Sequence, residues 1–85
     1  MMMNFEMTLE AGSENSNNNF IIKNLLLGTV YAGTYYDYNQ IEFVSKSGGM
    51  EQWLQDYMQF EQHEAFYIAI QLENWHNFIT LNNEE

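Results

Sequence analysis

The sequence predicts an α+β fold, a small antiparallel sheet of four to five strands covered by one or two helices. Three observations predict it. Polar and apolar residues alternate strictly over residues 4–10, Val, Ile, Tyr, Phe and Thr cluster over 29–45 and 64–73, and an apolar stripe of helical period runs over 50–62.

Each element follows from its local pattern. In residues 4–10, Phe5, Met7 and Leu9 fall on one side and Glu6, Thr8 and Glu10 on the other, the signature of a half-buried strand. Residues 11–19 are Gly, Ser, Asn and Glu in large part and read as a polar loop. Residues 20–27 fit two readings. Asn18 or Asn19 can cap a short helix that Gly28 ends, or the segment is a buried strand, and periodicity does not separate them. Residues 29–38 and 40–45 read as a hairpin turning at 37–39, and Gly48-Gly49 breaks the chain.

Residues 50–62 form the clearest helix, with Met50, Trp53, Leu54, Tyr57, Met58 and Phe60 on one arc and Gln52, Gln55, Asp56 and Gln59 opposite. Residues 64–73 return to period two, with Phe66, Ile68, Ile70 and Leu72 on one face of an expected near-central strand. A turn at 74–77, a short last strand at 78–81 and a frayed acidic tail at 82–85 complete the expectation. If 20–27 is helical, the order is the ferredoxin-like βαββαβ.

Composition bounds what such a domain can do. Eighty-five residues correspond to one domain, 1–85, and with no cysteine it must be held by its core alone, for which 46% apolar residues suffice. Twelve Asp and Glu face two Lys and no Arg, a net charge of -10. Nucleic acid and anionic membrane surfaces would both repel it. The longest apolar run, 25–32, is interrupted by Gly28 and Thr29, and residues 1–10 lack the basic start of a secretory leader, so a cytoplasmic location is expected.

Searches for catalytic and ligand chemistry find little. There is no GxxxxGK[ST] loop, and Gly48-Gly49 opens a helix beside Glu51 rather than beside a cation. His63 stands among Glu61, Gln62 and Glu64, but a zinc site needs convergent ligands, and His76 lies beyond the expected strand. His63 reads instead as meeting the negative end of the preceding helix, and His76 as a turn residue without a partner. Neither metal nor cofactor nor enzymatic activity is expected.

Charge and aromatics carry more. A net charge of -10 exceeds the magnitude of about 2–8 that solubility asks of a small domain. Six Tyr, six Phe and two Trp exceed what one sheet face need bury, and Tyr31, Tyr35, Tyr36 and Tyr38 are expected on an aromatic strand. Carboxylates at i and i+2 of a strand stand about 6.6 Å apart, close to the phosphate step of a nucleic-acid strand. An acidic surface of that kind would enter the basic groove of a nucleic-acid enzyme.

The expected function is therefore an inhibitor that binds a basic nucleic-acid-binding protein or nuclease complex. In type, though through no matched residue, the chain resembles phage-encoded anti-CRISPR and anti-restriction proteins and the immunity proteins of nuclease toxins. The candidate partner-binding residues are Asp37 and Glu42 at the hairpin, Glu51 and Asp56 on the helix, Glu73 near the following turn, and Tyr36 and Tyr38 as anchors. The competing expectation is a self-associating scaffold or accessory subunit, a homodimer formed through the aromatic strand face.

Overall fold

A computed structural model describes residues 3–12, 18–44 and 48–83. Strands come first and helices last: β1 (Phe5–Glu10), β2 (Asn19–Asn24), β3 (Thr29–Thr34), α1 (Tyr35–Val44), α2 (Gly49–Asp56) and α3 (Gln62–Asn83). The strands form an antiparallel meander in the order β1-β2-β3, with Met7 opposite Ile22 and Ile22 opposite Tyr31. The class is α+β, but among the described residues the sheet has three strands rather than four or five, and the order is not βαββαβ.

The alternation of β1 does what it predicts. Phe5, Met7 and Leu9 pack against the core and Glu6, Thr8 and Glu10 face out. The ambiguous segment 20–27 is strand followed by turn. Phe20 and Ile22 are fully buried on the inner face. Asn24 is buried beside them and builds the turn. Its Nδ2 donates to the Met58 carbonyl at 2.9 Å, its Oδ1 accepts from the Leu27 N–H at 3.1 Å, and its carbonyl accepts from the Gly28 N–H at 2.7 Å. Gly28, at φ 80°, is thus the left-handed residue of a tight turn rather than the end of a helix.

The expected hairpin over 29–45 is replaced by a strand running directly into a helix. Thr34 and Asp37 explain the switch. The Asp37 N–H donates to Thr34 Oγ1 at 3.2 Å, and Asp37 Oδ2 accepts from the Thr34 N–H at 2.9 Å and from its hydroxyl at 3.1 Å. This reciprocal capping box starts α1 and overrides the strand preference of the tyrosines after it. The expected turn at 37–39 and strand at 40–44 are helical; Ser45 lies outside the described residues.

The helix expected over 50–62 ends earlier, at Asp56. Gln59 takes φ 60°, a left-handed conformation that no helix continues through, and Met58 and Phe60 turn into the core on either side. The largest correction follows. Residues 64–73, the turn at 74–77 and the strand at 78–81 are all one 22-residue helix, which also includes Asn82 and Asn83 of the expected tail. Ala65, Ile68, Leu72, Trp75 and Ile79 recur at three- and four-residue steps and are all buried. At the start of α3, the buried Glu64 accepts from the Glu61 N–H at 3.4 Å and from the Asn4 N–H at 2.9 Å, tying the helix to the beginning of β1.

The core sits between the inner sheet face and the helices. Trp75 is its centre, in edge contact with Phe20 at 5.5 Å and Tyr38 at 6.2 Å between ring centroids, while its Nε1–H donates to the Glu10 carbonyl at 3.1 Å. Gly33 of β3 faces the same ring layer, and a Cβ there would stand 2.8 Å from both Phe20 Cζ and Tyr31 Cε2. Of the expected polar loop, residues 13–17 lie outside the described residues and Asn19 opens β2; residues 84–85 of the tail are also outside them.

Candidate functional site

A depression of about 200 Å³ opens where α1, the start of α2 and α3 meet. From α1 come Tyr38 and Glu42, one turn apart and so on one face. Gly48, Gly49, Met50 and Glu51 contribute the start of α2, and Phe66, Ala69, Ile70 and Glu73 come from α3. On α3 the residues 66, 70 and 73 recur at four and three, which puts them on the side of the helix opposite its core stripe of 65, 68, 72 and 75.

The depression is therefore lined by apolar Met50, Phe66, Ala69 and Ile70 and by three acids, Glu42, Glu51 and Glu73. Among the described residues no basic side chain lines it. The Tyr38 ring is only 1% exposed and its hydroxyl donates to Glu42 Oε2 at 3.1 Å. Burial first, then the Glu42 charge and the bond it accepts, and then the Glu73 charge raise the Tyr38 pKa well above its ordinary 10.0. The phenol thus stays a proton donor throughout the physiological range. Gly49 adopts φ 57°, and a Cβ there would lie 3.7 Å from Glu42 Oε2, so the loop passes close to the carboxylate.

This geometry suits a cation carried on an apolar stem. The stem would lie along Phe66 and Ile70, and the charge would sit among the carboxylates. Among the described residues no group of three or more His, Asp or Glu side chains is arranged to hold a metal ion.

The structure brings together three of the sequence candidates, Glu42, Glu51 and Glu73, and disperses the rest. Asp37 is half-buried and occupied in the α1 capping box. Asp56 lies at the far end of α2 from Glu51, exposed, and accepts from Gln52 Nε2 at 3.0 Å. Tyr36 is 66% exposed on α1, whereas the Tyr38 ring belongs to the core and only its hydroxyl serves the depression. The expected aromatic strand does not form. Tyr35, Tyr36 and Tyr38 are on α1, and Tyr31, the one tyrosine of β3, faces inward onto Trp53 at 4.9 Å.

The histidines also sit differently from expectation. His63 is in the first turn of α3, with Nδ1 3.8 Å from Glu61 Oε1, and so at a positive helix end. His76 is helical, its ring stacked between Tyr35 and Tyr38 with both centroids at 4.8 Å, and its Nε2 lies 2.8 Å from Asn39 Oδ1. It joins α3 to α1. Sequence reasoning missed Phe66 and Ile70 as site residues, although their spacing to Glu73 marks a common face once 62–83 is read as helix.

Among the described residues no helix is long and apolar enough to cross a membrane. No protein-family model matches this chain, and no curated protein or solved structure matches it significantly.

Proposed function

We propose that this chain is a non-enzymatic, protein-binding inhibitor that acts in the cytoplasm by occupying a basic nucleic-acid-binding site of a nuclease or defence complex, in the manner of anti-CRISPR, anti-restriction or immunity proteins. The single observation that supports it most is that Glu42, Glu51 and Glu73 line one depression together with Phe66, Ala69 and Ile70, with no cation among its described lining residues. A partner's lysine or arginine, of the kind that otherwise holds a phosphate, fits that combination of charge and apolar contact. The net charge of -10 would steer the chain toward such a cleft and speed encounter at low salt.

The test is competition for nucleic acid. Purified RNA-guided nucleases, restriction endonucleases and nuclease toxins are each loaded with a labelled duplex, and displacement by the chain is followed as salt rises. The expected result is displacement from at least one of them, weakening with salt. The triple variant Glu42→Gln, Glu51→Gln, Glu73→Gln should lose at least tenfold in apparent affinity while remaining folded. Undiminished displacement by that variant would remove the depression from the interface. Failure to displace the duplex from any of the enzymes would remove the function.

A further inference from the structure

We propose that the free face of the sheet, the side turned away from the helices, is a contact surface for a second copy of this chain. Three rows of residues cross that face in register: Glu6, Lys23 and Val30; Thr8, Ile21 and Ala32; Glu10, Asn19 and Thr34. Val30 is 58% exposed and Ile21 lies beside it on the central strand, also exposed. The β2–β3 turn at the end of the same hairpin adds Leu25, Leu26 and Leu27, all exposed, with Leu26 at 73%. Exposed apolar groups gathered on one hairpin in this way mark a contact surface.

Charge selects the occupant. Among the described residues the acids of the free face are Glu6 and Glu10, and Lys23 stands between their strand and Val30. The other described acids, Asp37, Glu42, Glu51, Asp56, Glu61, Glu64 and Glu73, belong to the helices or to the connection before α3. Among the described residues the sheet face is thus the side that comes nearest to neutrality in a chain of net charge -10, and the side on which two copies approach at least Coulomb cost. A basic partner is drawn to the helical side instead, and an anionic lipid surface repels the whole chain.

The same face is self-complementary. Lys23 Nζ lies 3.7 Å from Glu6 Oε1 across the β1–β2 register, and both side chains are about half exposed. Under a two-fold axis, Lys23 of one copy can meet Glu6 of the other while Ile21 and Val30 pack between the two sheets. The surface is separate from the acidic depression, so the dimer stands or falls independently of the inhibitor reading.

Sedimentation equilibrium from micromolar to millimolar concentration tests it. The expected result is a mass that rises toward twice the monomer. Val30→Asp, at an exposed position, should weaken association at least tenfold with an unchanged circular dichroism melt. Glu6→Lys and Lys23→Glu should each weaken it, and the two together should restore it. The triple Gln variant of the depression should dimerise as the native chain does. A native chain that remains monomeric at millimolar concentration would overturn the proposal, as would a Val30→Asp variant that associates undiminished. A monomer that instead co-sediments with zwitterionic vesicles would overturn it in favour of a lipid contact.

Discussion

Replacing Tyr38 by Phe removes one hydroxyl from the wall of the depression, and its effect should depend on pH. In the fold, burial and the neighbouring Glu42 and Glu73 hold the phenol protonated far above its ordinary value of 10.0. Below about pH 9 the folded and unfolded chains both keep the proton, and the phenol adds no pH dependence. Above it the unfolded chain releases a proton that the folded chain retains, so stability falls as pH rises, by up to about 1.4 kcal/mol per pH unit for this one group. Between pH 9 and 11 the loss attributable to Tyr38 is about 1.4 kcal/mol, since the unfolded phenol ionises midway through that interval.

Tyr31, also raised by burial and by the charge of Asp37, adds a loss of the same sign in the native chain and in the variant alike, so the difference between the two isolates Tyr38. At pH 7 the variant gives up a hydrogen bond to a carboxylate that water can solvate, a cost of about 1 kcal/mol or less. Urea unfolding at half-unit steps from pH 8 to 11.5 measures the difference directly. The native chain should lose stability more steeply than Tyr38→Phe above pH 10. Parallel curves would refute the assignment of a buried, Glu42-bound phenol, and with it the described wall of the depression.

Two further changes probe the fold. Gly33→Ala places a methyl 2.8 Å from the Phe20 and Tyr31 rings. Overpacking of this kind costs about 2 kcal/mol, which for a chain of this size lowers Tm by roughly 8–16 °C; calorimetry showing no change would mean the ring layer does not cover β3 as described. Asp37→Ala opens the α1 capping box and should lower the urea-derived stability by about 1 kcal/mol, with little effect on nucleic-acid displacement, since Asp37 is committed to Thr34.

How much of this was legible depends on how many faces each segment buries. β1 buries one face and solvates the other, so its alternation was unambiguous. α3 buries one stripe and carries Phe66 and Ile70 on the opposite side, 56% and 38% exposed. Set beside Ile68 and Leu72, those two create a period of two inside a helix, and the three-and-four spacing from Ala65 to Ile79 shows only over the longer window. The same window contains no Gly or Pro at 74–77 to support a turn.

For α1 the local signal existed, Thr34 followed by Asp37 three residues on, but the run of tyrosines argued for strand and outweighed it. The acids of the depression were individually visible as Glu42, Glu51 and Glu73. Their convergence was not, because it requires three elements to meet, and two of those were read as strands.

The order of elements has a consequence for synthesis. The meander is complete at Thr34, yet Phe20 meets its ring partner only when Trp75 arrives, whose indole bonds back to Glu10 across 65 positions. At about 5–20 residues per second, a ribosome needs several seconds to bridge that gap. Throughout it the nascent hairpins hold apolar surface that α3 has yet to cover. The chain should accordingly engage holdase chaperones during translation and gain protease resistance abruptly, once α3 has been made, rather than strand by strand.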